Sequence, residues 1–148
     1  MSHYAENRKA RFNYEFLEKY ETGIELLGTE VKSVRGGQMS LEGAFVIIRG
    51  GEAFLINANI PPYQPANASK DYDSLRNRKL LLTKKEIAEL AGSEKNKSLT
   101  IVPISVYNKG RKIKVEIALV KGKKKFDKRE TLKKRDTDRE IRREIKEH

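Results

Sequence analysis

The sequence predicts a mainly β fold: a small antiparallel, oligonucleotide-binding-like β-barrel with two or three short helices and a basic C-terminal tail. Three observations point there. Five to six short runs alternate apolar with polar residues between turn signals, the period of strands with one buried face. Helical spacing is confined to two stretches of the body. Apolar residues nearly cease after Gly122, while basic ones do not. An open sheet backed by a helix is the alternative architecture. At 148 residues the chain is one domain, or one domain and a tail.

Phe12, Tyr14 and Phe16 alternate with Asn13, Glu15 and Leu17, which predicts the first strand; Ile24-Glu25-Leu26 continues it after Gly23. Within Thr29 to Arg35, Val31 and Val34 favour a short helix, closed by Gly36-Gly37. Residues 44–48 and 53–56 flank Arg49-Gly50-Gly51-Glu52, a hairpin with Gly at its tip. From Pro61-Pro62 to about Asn77 the chain is long and irregular, and such loops often bind. Lys79 to Leu82 is read as the entry to a helix. Thr83 and Glu86 fit its capping box, Ile87, Leu90 and Ala91 form its apolar stripe, and Gly92 stops it. Leu99 to Ile104 and Ile113 to Val120 alternate as two further strands about Asn108-Lys109-Gly110. Pro103 suits an edge or a bulge, having no N–H to give a ladder.

The formal net charge is +11, from 32 basic and 21 acidic side chains. Residues 1–121 carry 20 basic against 14 acidic groups; residues 122–148 carry 12 against 7, with only Phe126, Leu132, Ile141 and Ile145 apolar. Burial of four such side chains does not offset an ordering cost of about 1–2 kcal/mol per residue. The expectation is a body over 1–121, its first ten residues flexible, and a tail over 122–148 that is disordered when free. Ile141 and Ile145 share a helical face at i,i+4, so a polyanionic surface would favour a helix there.

The residues that are missing matter as much. No Cys occurs, and the two histidines are His3 and His148, so thiolate chemistry, His-based triads and multi-His metal sites have no seat in the body. No apolar run approaches the ~20 residues of a membrane span, and residues 1–20 lack a signal-peptide stretch, so a cytoplasmic chain is expected. Positive charge without catalytic groups points to a polyanion, most simply nucleic acid. The candidate contacts are Arg8, Lys9 and Arg11; Lys32 and Arg35; Arg76, Arg78 and Lys79; and Lys109, Arg111, Lys112 and Lys114. Tyr63 and Tyr72, in the irregular loop, could stack on unpaired bases or cover the barrel end. Glu21 beside Gly23 could accept from a nucleotide donor or sit in a salt bridge. A metal-dependent nuclease using Asp71 and Asp73 is the enzyme alternative, although both acids suit turn capping.

Several stretches, in this order and spacing, resemble the SmpB family of SsrA-binding proteins over essentially the whole chain. They are Asn7-Arg8-Lys9-Ala10-Arg11, Tyr20-Glu21-Thr22-Gly23-Ile24, Gly28-Thr29-Glu30-Val31-Lys32-Ser33 with Arg35, and Gly51-Glu52-Ala53-Phe54-Leu55. Ala58-Asn59-Ile60, Arg76 with Arg78-Lys79-Leu80-Leu81-Leu82, and Gly122-Lys123-Lys124 with Asp127-Lys128-Arg129 continue the match. The resemblance implies a non-catalytic adaptor without metal or cofactor. Such an adaptor binds the tRNA-like part of transfer-messenger RNA and delivers it to stalled ribosomes for trans-translation. Its implied RNA-binding residues are Glu21, Leu81, Thr83 and Lys114; the sequence adds Gly23, Lys32, Arg35, Arg78 and Lys79. Thr83 departs from the Asn or His of the family pattern, and a hydroxyl lacks the two-pronged geometry of an amide. Gly122, Lys123, Lys124, Asp127, Lys128 and Arg129 match the segment implicated at the decoding centre. Ile141 and Ile145 belong to a tail implied to run helically along the empty mRNA channel of the small subunit. Elongation factor Tu, on the same RNA, is a further implied partner. The alternative in the binding class is a general translation factor for single-stranded RNA.

Overall fold

The computed structural model describes residues 3–67, 70–96 and 98–122. The expected tail residues Lys123, Lys124, Asp127, Lys128, Arg129, Ile141 and Ile145 lie outside them.

Among the described residues, seven strands and three α-helices follow in the order β1 (His3–Glu6), α1 (Arg8–Asn13), β2 (Tyr14–Gly23), α2 (Gly28–Arg35), β3 (Phe45–Arg49), β4 (Glu52–Ile56), β5 (Arg78–Leu80), α3 (Lys84–Glu94), β6 (Leu99–Lys109) and β7 (Lys112–Gly122), with a 3-10 turn at Pro65–Asn67 before β5. All pairs are antiparallel, in the spatial order β2-β7-β6-β3-β4-β5, with β1 added on β6. The ladders describe an open sheet whose two edges meet at one place. There Ile24 bridges Leu80, the Leu81 N–H donates to Gly23 O at 2.9 Å, and the Glu25 N–H donates to Lys79 O at 2.9 Å. This bridge is the only seam that completes the expected barrel among the described residues.

Turn chemistry sets the registers. Gly50 and Gly51 take φ of 58° and 74°, the left-handed pair that a tight hairpin requires, and Arg49 faces Glu52 across it. Pro103 lies beside a bulge between Pro103 and Ser105, where its missing N–H costs no ladder bond. The Asn7 side chain donates to the Pro103 carbonyl at 3.1 Å, and the Asn7 N–H donates to Ile104 O at 2.7 Å.

Residues 3–13 form β1 and α1, and Ala5 and Glu6 pair with Val106 and Ser105. Three local expectations change. Phe12 belongs to α1, not to a strand, since that turn buries Ala10 against Val102, Ile104, Ala118 and Val120. Lys79 to Leu82 does not open a helix: Arg78–Leu80 is a strand paired with β4, and the helix begins only after the Thr83 cap. That helix passes Gly92 and ends at Glu94, whose carboxylate accepts from the Ile48 N–H at 3.0 Å and holds the last turn to β3.

The main core gathers Leu41, Leu55, Ile60, Leu80, Leu90, Ile101 and Ile117 between the curved sheet, α2 and α3. Within it lies a buried ion cluster. Glu30, 1% exposed, accepts from Arg78 Nε at 2.8 Å, from Arg76 Nε at 3.1 Å and from the Leu27 N–H at 2.8 Å. Arg78, 0% exposed, spends its remaining donors on Ala58 O, Ser74 O, Arg76 O and the Tyr72 hydroxyl. Tyr72 Oη lies 2.7 Å from Ile60 O and 3.0 Å from Glu30. Four carbonyl and hydroxyl oxygens, at residues 58, 72, 74 and 76, are thereby tied to one charge pair, and a fifth, Ile60 O, is tied to it through Tyr72. Burial pushes the Glu30 carboxyl up, but Arg76, the Leu27 N–H and Arg78 prevail and bring its pKa down to about 2.

Two outcomes follow. Glu30→Gln leaves the Arg78 guanidinium buried without its counter-charge and should cost about 3–5 kcal/mol in urea unfolding. Because the folded pKa lies below an unfolded value of about 4.3, Glu30 stabilises fully above that value. Its contribution is lost as pH falls toward about 2. A stability profile over this window should be steeper in the wild type than in Glu30→Gln.

Candidate nucleic-acid interface

The seam between the sheet edges builds the site. Because Gly23 and Leu81 are held side by side by the bond across the seam, a Cβ on residue 23 would stand 3.2 Å from Leu81 Cδ1. Glycine lets the leucine lie flat over the strand end, and Leu81 stays 52% exposed. Beside it opens a concavity of about 390 Å³. Its apolar lining is Ile24, Leu26, Val31 and Ile113, all half-buried; its cations are Arg35 from α2 and Arg111, Lys112 and Lys114 from the β6–β7 hairpin. Arg35 Nη2 donates to Arg111 O at 3.0 Å, which ties the hairpin tip to α2.

Glu21 stands two residues before Gly23 on β2. Its carboxylate accepts from the Tyr107 hydroxyl and, at 2.9 Å, from Lys109 Nζ. These two hydrogen bonds, Tyr107 first, hold the carboxyl below the usual carboxylate range. Tyr107 moves the other way, pushed up by burial and then by Glu21. Glu21 also faces Glu116 directly across the ladder, a repulsive pairing that Lys109 offsets. Each carboxylate oxygen retains a second lone pair for an incoming N–H or O–H donor.

The expected site residues divide accordingly. Gly23, Arg35, Leu81 and Lys114 line the concavity at the seam, and Glu21 is near enough to feel Lys114. Lys32 is three residues before Arg35 on α2 and stands by the Tyr63 ring. Lys79 does not line the concavity and pairs with Glu52 at 3.2 Å. Thr83 is the α3 cap: its hydroxyl accepts from the Glu86 N–H at 3.2 Å while its own N–H donates to Glu86 at 3.0 Å. Arg78 is not a surface contact, because Glu30 and the loop carbonyls consume it in the core. Tyr72, a candidate for base stacking, is bound into the same cluster. Asp73 caps a turn through the Leu75 N–H at 2.9 Å, and no group of three or more His, Cys, Asp or Glu is placed to hold a metal among the described residues.

Sequence reasoning missed the Tyr107 partner of Glu21 and the Arg35 hold on the hairpin. Tyr107 faces Lys114 in the β6–β7 register, and Lys114 faces Gly23 in the β2–β7 register, so a correct strand alignment would have found it. The Arg35 bond goes to a backbone carbonyl and leaves no pattern in side chains. No helix among the described residues is long and apolar enough to cross a membrane.

Comparison with known proteins places the chain among relatives. The family model described as SmpB protein matches residues 4–147. An SsrA-binding protein of Thermosynechococcus vestitus is 51% identical over 96% of this chain and 93% of its own length. Those of Sulfurihydrogenibium sp. and Mesoplasma florum are 55% and 54% identical over 96% and 95% of this chain, and over 93% and 94% of their own. A chain of the solved structure described as "tmRNA-SmpB: a journey to the center of the bacterial ribosome" matches with a TM-score of 0.68 and 45% identity. That match covers 81% of this chain and 84% of the other. With its bridged sheet, its cationic concavity and a match that runs nearly end to end, the chain belongs to the SmpB family.

Proposed function

We propose that the protein is a non-catalytic RNA-binding adaptor of ribosome rescue. Its body binds the tRNA-like part of transfer-messenger RNA at the Gly23–Leu81 end and delivers it to stalled ribosomes in the cytoplasm. The observation that carries this reading is the pairing of an exposed Leu81 with the Arg35, Arg111, Lys112 and Lys114 rim, in a chain whose relatives are SsrA-binding proteins. The cations neutralise phosphates and release counterions, which supplies affinity in a salt-dependent manner. Leu81 and the apolar lining offer contact to the flat faces of unpaired bases. Glu21 accepts from a base or ribose donor, and Lys109 is free to turn from Glu21 toward a phosphate as it does so.

The segment after Gly122 is assigned to the ribosome. Its 12 basic and 7 acidic residues suit the rRNA phosphate that walls the decoding centre and the vacant mRNA channel. The spacing of Ile141 and Ile145 supports a helix in the channel. Messenger RNA in the channel would then exclude the tail by occupying its space. Elongation factor Tu acts on the same RNA.

Gel-shift titration of the tRNA-like transcript should show Leu81→Ala binding about tenfold more weakly at an unchanged Tm, since a half-exposed leucine contributes little to the core. Lys114→Ala should reduce the slope of log K against log[salt] by about one. A chain ended after Gly122 keeps the β7 pairing with Tyr14 intact. It should retain affinity for the transcript yet give no tagged product in a stalled-ribosome translation assay.

A further inference from the structure

Tyr63 is 44% exposed and takes no part in the concavity, yet its backbone is firmly placed. It follows Pro61-Pro62, whose rings fix φ at two successive positions. The fully buried Ser33 donates to Pro61 O at 2.7 Å, and the Ile60 N–H donates to Ser74 O at 3.0 Å. Lys32 Nζ stands 6.0 Å from the centroid of the Tyr63 ring, at the reach of a cation–π contact. Lys32 and Arg35 are neighbours on α2 at i,i+3. An exposed path therefore runs from Tyr63 through Lys32 to Arg35 and onto the cationic rim of the concavity.

A single exposed tyrosine is ordinarily a solvated loop residue. Here the ring follows a tethered Pro61, beside a cation, at the end of a row that already suits phosphate. We propose that Tyr63 and Lys32 form a second RNA contact outside the concavity, a step on which one unpaired base stacks while Lys32 takes the adjoining phosphate. The proposal rests on the RNA-binding reading above and extends its footprint along α2. A base in a duplex has its faces covered by its neighbours, so the occupant is an unstacked nucleotide of a loop or bulge. Every base offers a π-face, so the contact tolerates sequence.

The test titrates the full-length protein with the tRNA-like transcript of transfer-messenger RNA across a salt series. Tyr63→Ala should bind roughly tenfold more weakly at every salt with an unchanged slope, because stacking releases no counterions. Tyr63→Phe should bind as the wild type does, and Lys32→Ala should lose about one unit of slope. Since the chain has no Trp, Tyr63→Trp places a lone indole at this position, whose emission should be quenched as the transcript binds. Wild-type affinity in Tyr63→Ala, or unquenched emission at saturation, overturns the inference alone, and Leu81→Ala still tests the concavity. A drop in Tm that accounts for the Tyr63→Ala defect would assign the ring a structural role and overturn it equally. A wild-type protein that fails to bind the transcript would overturn both readings.

Discussion

One buried carboxylate organises the working end of this molecule. Glu30 sits in the first turn of α2, and its two arginines come from the far end of a long irregular segment and the first residue of β5. The cluster therefore joins three pieces of chain that share little secondary structure. It fixes α2, and with it Lys32 and Arg35. It fixes β5, and with it the seam that presents Leu81. A charge pair without exposure confers no surface chemistry, but the surface chemistry has its geometry only because that pair is satisfied. Replacing it with apolar groups of similar volume could hold the same elements together. It would not also bind the carbonyls at 58, 74 and 76.

The Gly23–Leu81 end, proposed above as the RNA contact, combines two kinds of attraction with different reach. Cations on α2 and the β6–β7 hairpin act over about a Debye length, roughly 8–10 Å at physiological salt. Leu81 and the half-buried lining act only on contact. Long-range attraction collects a polyanion and short-range fit selects among polyanions, a division usual for nucleic-acid recognition. In the proposed contact Glu21 belongs to the selective part, because an acid beside phosphates repels them and favours an approaching donor group. The Tyr107 and Lys109 bonds keep it oriented until then.

Much of the fold was legible in the sequence where periodicity or turn chemistry was strong: the Gly50-Gly51 hairpin, the Thr83–Glu86 cap, the α2 helix and the two long final strands. Strands with tertiary causes were not. Arg78–Leu80 is three residues long and pairs because β4 is beside it; the run Arg78-Lys79-Leu80-Leu81-Leu82 around it carries no sustained alternation. At the site, charge and the family resemblance gathered the residues near Gly23 and Leu81. Arg78 was misplaced because composition counts an arginine as a surface cation, whereas its environment here is decided by Glu30, 48 residues earlier. Tyr72 and Tyr63 were indistinguishable as loop tyrosines, and only the hydroxyl partners separate them.

The strand β7 joins the two ends of the protein in a way that the ladder makes rigid. Lys114 faces Gly23 at the concavity, and Gly122 faces Tyr14 where the last segment departs. Eight steps of antiparallel strand span about 27 Å, and β2 and β6 flank most of that length. The strand is a strut with a grip at one end and a root at the other. A macromolecule seated on the grip thereby fixes the point from which the final residues set out, as the arm of a caliper fixes its jaw.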